Sequence, residues 1–220
     1  MNRQERRAAE RQAKADPAAA AKAADQVFAQ AEQMRREGRN AEAEAFCRQA
    51  LAHDPRHGQS LNLLGILSLN AGRTDLAVDF FGRAAAGPNP TPVFHNNLGS
   101  ALREQGRASE AAQAFRRAIA IKPDYVRALI NLGQLLIDSD PQGAASAFRQ
   151  ALAHHPRDLE ALFGLGVSLH RAGALDEALA LYERALAVAP DNAPLLENMS
   201  GLLLMRHRLS EASALLERLL

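Results

Sequence analysis

The chain has 220 residues with 26 basic and 25 acidic side chains, a formal charge of +1, 47% apolar residues, 5% aromatics and no Trp. The near balance of charge argues against a dedicated nucleic-acid surface, which needs a basic excess, and no apolar run reaches the roughly 18 to 20 residues that span a bilayer. The single cysteine cannot close an internal disulfide, which fits a reducing, cytoplasmic setting.

In chain order, residues 1–23 read as a separate basic and Ala-rich segment. Arg3, Arg6, Arg7, Arg11 and Lys14 alternate with Glu5, Glu10 and alanines, giving a solvated, partly frayed or capping helix without an apolar face. The opening also lacks the apolar core of a secretory signal. Asp16 before Pro17 has the form of an N-cap with Pro at the first helical position, and the alanine-rich stretch 18–24 lengthens that helix.

From residue 24 onward a pattern recurs. Ala43, Ala77, Ala111, Ala144, Ala178 and Ala212 are spaced by 34, 34, 33, 34 and 34 positions. A fixed period of this length marks a stacked helical array. The units run 24–57, 58–91, 92–125, 126–158, 159–192 and 193–220. The first is degenerate, with Ala31 in the central glycine position and Cys47 in the aromatic one, but it keeps Gly38, Ala50 and Pro55. The second carries Pro88 and Pro90 around the place of its closing proline. The third is regular: Gly99, Gly106, Ala111, Phe115, Ala118 and Pro123. The fourth is one residue short, and Asp140-Pro141 is predicted to cap its second helix. In the fifth, Leu162, Leu165, Gly166 and Leu169 share one side of a first helix, and Ala178, Tyr182 and Ala185 share one side of a second. Gly173 stands where the first helix must end in a left-handed residue, and Pro190 follows the second. The sixth has Ser200 for glycine and His207 at the turn.

This order resembles the tetratricopeptide repeat over roughly 24–220: a large residue, Leu-Gly, a large residue, Ala, an aromatic, Ala and Pro. The resemblance implies an all-α, right-handed α-solenoid of about six helix-turn-helix units, with the first helices lining a concave groove. It also implies a protein or peptide partner. Arrays of this look occur in bacterial proteins, including the N-terminal parts of protein glycosyltransferases similar to O-GlcNAc transferase, where a ladder of asparagines holds a peptide backbone. Asn97, Asn131 and Asn198 occupy that slot here, with Asn96 and Asn62 beside it; Ala29, Leu63 and Gly164 interrupt it. An amide both donates and accepts, so a row of them would grip an extended chain with little side-chain selectivity. The groove candidates are Asn62, Asn96, Asn97, Arg127, Asn131, Gln134, His170, Arg171 and Asn198. The branch that binds chaperone tails needs groove lysines, and Lys14, Lys22 and Lys122 lie elsewhere.

No catalytic, cofactor or metal site is expected. The seven histidines lack the spacing of a zinc site; His53, His154, His155 and His57 border the ends of second helices, where a basic side chain suits the dipole. Cys47 is expected to be a buried core residue, since it takes the aromatic position of its unit. Two functions are consistent with these residues. One is a non-catalytic adaptor holding a peptide in the groove. The other is the substrate-recruiting arm of a glycosyltransferase or sulfotransferase with its catalytic domain elsewhere, suggested by an array that stops at "LLERLL" without a polar cap. Leu215, Leu216, Leu219 and Leu220 would then lie uncovered, and either self-association through the C-terminal helix pair or fraying there is expected.

Overall fold

The computed structural model describes residues 16–219, so the basic stretch expected over residues 1–15, and Leu220, lie outside it. Alanine, leucine and straight-chain residues favour helix throughout. The described residues form α1 (Pro17–Arg36), α2 (Asn40–His53), α3 (Gly58–Asn70), α4 (Thr74–Ala85), α5 (Pro92–Glu104), α6 (Ala108–Ile121), α7 (Val126–Leu136), α8 (Pro141–His154), α9 (Leu159–Arg171), α10 (Leu175–Leu186), α11 (Ala193–Met205) and α12 (Leu209–Leu216). A 3₁₀ turn, Glu217–Leu219, follows, and there is no strand among them. Consecutive helices pack as six helix-turn-helix pairs, the arrangement of an α-solenoid. They form two compact units divided between Ile121 and Lys122, three pairs in each. Within a unit the first helices of neighbouring pairs also approach one another: α3 meets α5, while α9 meets both α7 and α11. The second helices make no comparable approach, so the first helices lie on the inner side of each unit.

A small residue against a large ring sets the spacing inside a pair. A methyl built on Gly65 would lie 2.5 Å from the Phe81 ring, on Gly99 2.6 Å from Phe115, on Gly133 2.7 Å from Phe148 and on Gly166 2.5 Å from Tyr182. All four rings are fully buried, so only glycine lets the two backbones close over them. The first pair makes the opposite exchange. Ala31 keeps its methyl because the small Cys47 stands where the ring would be, and both are fully buried. Burial, with the charges of Glu32 and Glu44, pushes the Cys47 thiol up to about 12, so it is an inert core group. In the last pair, Ser200 is buried with no hydrogen-bond partner for Oγ among the described residues, and Leu216 is 41% exposed.

The turns follow the glycines. Gly38, Gly72, Gly106 and Gly173 have φ of +76, +70, +73 and +81°. Each closes its first helix through paired main-chain bonds: the Gly72 N–H donates to the Leu69 carbonyl and the Arg73 N–H to that of Ser68, both at 2.8 Å. His207 makes the same turn at φ +58°, where a side chain costs about 1 kcal/mol or more. The fourth pair uses another device. Asp140 Oδ1 accepts the Gly143 N–H at 2.9 Å, with Pro141 first in the helix. Asp16 caps α1 likewise, accepting from the Ala18 and Ala19 amides, both at 3.1 Å.

His57 departs from the expected role beside a helix C-terminus. It caps the start of α3: its Nδ1 accepts the Ser60 N–H at 3.3 Å, and its Nε2 lies 3.0 Å from Asp25 Oδ1. With Nδ1 accepting, the hydrogen sits on Nε2 and is donated to Asp25, which ties α1 to the second pair. Ser60 Oγ is 2.7 Å from the same Nδ1, but Ser60 is fully buried. The Asp-His-Ser chain is therefore a cap and has no open nucleophile.

Candidate peptide-binding faces

In the first unit the inner side carries amides from two pairs. Asn97 Nδ2, on α5, donates to Asn62 Oδ1, on α3, at 2.8 Å. Both side chains are half-buried. This bond spends one hydrogen of Asn97 and one acceptor of Asn62, leaving Asn97 Oδ1 to accept and Asn62 Nδ2 to donate. A peptide group has the matching donor and acceptor. Asn96 is buried at 3% exposure and is itself engaged, so it belongs to the packing of α5. A smaller cleft of about 280 Å³ lies elsewhere in this unit, among Asp25, Asp54, Arg56, His57, Thr91 and Phe94.

In the second unit a cleft of about 580 Å³ opens between the turns before α7 and α9 and the first residues of both helices. Arg127 and Asn131, both predicted, line it together with Lys122, Tyr125, Ile130, His155 and Glu160. Its acids are partly occupied. Asp158 Oδ1 accepts the Ala161 N–H at 2.9 Å as the cap of α9, and Glu160 accepts from Gln134. Arg127 and Lys122 enter no ion pair among the described residues. Burial raises the Tyr125 hydroxyl above its ordinary pKa, while the Arg127 charge pulls it back.

The other predicted residues lie apart from this cleft. Arg171 pairs with Asp138 at 2.5 Å, Asn198 Nδ2 donates to the Pro194 carbonyl of its own helix at 2.8 Å, and His170 stands half-buried in the last turn of α9. Glu160 and Tyr125 were missed. The repeat offered a signal for Glu160, which occupies the same first-turn slot as Arg127 one unit on. Among the described residues no three His, Cys, Asp or Glu side chains gather to hold a metal ion, and no helix is long and apolar enough to cross a membrane.

Known proteins share this arrangement. Family models described as tetratricopeptide repeat match residues 28–91, 135–194 and 169–220, and one described as TPR repeat matches 94–138. The peroxisomal targeting signal receptor of Candida glabrata is 40% identical over 70 residues, and that of Eremothecium gossypii 41% over 69. Each match takes in 31% of this chain and 12% of the receptor. Among solved structures, PilF of Pseudomonas aeruginosa superposes with a TM-score of 0.74 at 22% identity, covering 91% of this chain and 93% of that one. YrrB, described as a TPR protein with an unusual peptide-binding site, gives 0.70 at 20%, covering 78% and 89%. At such identities the likeness to solved structures is one of fold. Through its six pairs and the matches that run along nearly all of them, the chain belongs to the tetratricopeptide-repeat family.

Proposed function

We propose that this chain is a non-catalytic scaffold that holds an extended peptide segment of another protein along the inner first helices. The observation that carries the reading is the Asn62–Asn97 bridge, whose spare acceptor and donor match one peptide group. Within the second unit, Asn131 and Arg127 line a cleft that would offer a peptide contacts of its own, and in either unit a few anchors would carry most of the energy. The relatives named for a targeting signal and for a peptide-binding site support the same class of partner. A recruiting arm of a glycosyltransferase or sulfotransferase would use the same amides.

The triple variant Asn97→Ala, Asn131→Ala and Asn198→Ala tests this. It should lose binding on a peptide array. Its stability should fall by about 1 kcal/mol, chiefly from the broken bridge to Asn62. Equal binding by both proteins, or a large loss of stability in the free variant, removes the amide row from the reading.

A second reading concerns the last pair. Leu204, Met205, Leu209 and Leu216 are 45, 61, 62 and 41% exposed, and apolar exposure gathered in one element pair marks a contact surface. We infer that copies of the chain associate there. Light scattering should show association that Leu216→Glu reverses; a monomer at every concentration before substitution rejects it.

A further inference from the structure

His95 occupies the slot in α5 that Leu61, Leu129, Leu162 and Leu196 hold in other first helices. It is 5% exposed, and its Nδ1 has no hydrogen-bond partner among the described residues. The helices packed against α5 are α3, α4 and α6. α3 has no ionisable side chain. On α4, Asp79 pairs with Arg83 and Asp75 accepts from Gln105, so these charges are engaged with others. On α6, Glu110 pairs with Arg107 of the preceding turn, and of the two remaining charges, Arg116 and Arg117, Arg117 is the one that acts on the imidazole. α5 itself adds Arg103 and Glu104 in its last turn. A proton on His95 would thus be a buried cation beside a guanidinium, with no acceptor for its second N–H.

We propose that His95 is a built-in acid switch: its protonation loosens the α5–α6 pair and displaces the adjoining Asn97, so that capture of a peptide by the first unit weakens as pH falls. The functional half of this inference rests on the peptide-holding reading above. Burial first, and then the Arg117 charge, hold the folded His95 below its ordinary pKa. The unfolded or opened chain therefore takes the proton first. Stability is complete above the unfolded value of about 6.5 and is lost as pH falls through it toward the lower folded value.

Hydrogen exchange on the full chain at about pH 7.5 and about pH 5.5, a window that brackets histidine titration, tests the switch. After correction for intrinsic rates, residues 92–121 should lose protection several-fold more than the other helix pairs. His95→Leu, with the residue found in four equivalent slots, should abolish that excess, and Arg117→Gln should reduce it. An equal loss in His95→Leu overturns the proposal, as does a loss spread evenly over all pairs. Binding to a random-peptide array at the same two pH values supplies the second arm. Weaker acid binding that His95→Leu prevents supports the coupling; acid-insensitive binding together with shifted exchange overturns it. No binding at neutral pH defeats the peptide reading and leaves the exchange result to stand on its own.

Discussion

Replacing Phe148 by Ala should destabilise the second unit by about 3 to 5 kcal/mol, toward the upper end for an aromatic-to-alanine change. The ring is fully buried and serves two pairs. It lies against Gly133 of its own pair, 2.7 Å from where a methyl on that residue would stand, and it also fills the notch at Gly164 in the next first helix. Neither glycine has a side chain that could move into the void, so the structure can relax only by shifting backbone. A urea titration should show the midpoint falling at nearly constant slope. A loss below about 1.5 kcal/mol, the scale of a conservative swap, would mean that the two helices close over the gap.

The second large effect is a failed repair. Gly164 interrupts the asparagine row, and Gly164→Asn would complete it between Asn131 and Asn198. The structure predicts harm from this change. The Cβ of any residue at 164 runs into the Phe148 ring, so overpacking should cost about 1 to 3 kcal/mol or more, and peptide binding should not improve. Combining Gly164→Asn with Phe148→Leu should recover part of the loss. A single variant as stable as the parent sinks the argument, since it would show that the ring can turn aside.

These cases separate what could be read in the residues from what could not. Gly38, Gly106 and Gly173, and Asp140 before Pro141, speak through local backbone chemistry, and their turns and caps lie where expected. The pairing of Asn62 with Asn97 was not legible. It spans 35 positions, one more than the period, because neighbouring first helices meet diagonally and the period aligns slots without saying which slots touch. The same limit hid Gly164: as a gap in a row of amides it looks like a departure, whereas it exists for a ring sixteen residues earlier in the chain. The division between Ile121 and Lys122 had no mark in a repeat that continues through it. The cleft beside Arg127 depends on which carboxylates are already engaged, and spacing does not carry that information.

A ring shared between two pairs also bears on how the second unit would come apart. In stacked arrays stability is the sum of each repeat's own term and the terms at its borders. Phe148 makes one border unusually strong, welding α7–α8 to α9. The far border has no such notch, since Asn198 stands in the slot of α11 that Gly164 holds in α9. Pulled from its C-terminal side, this unit would peel α11 and α12 away first and then resist as one block, a graded clutch whose slipping point is set by a single aromatic side chain.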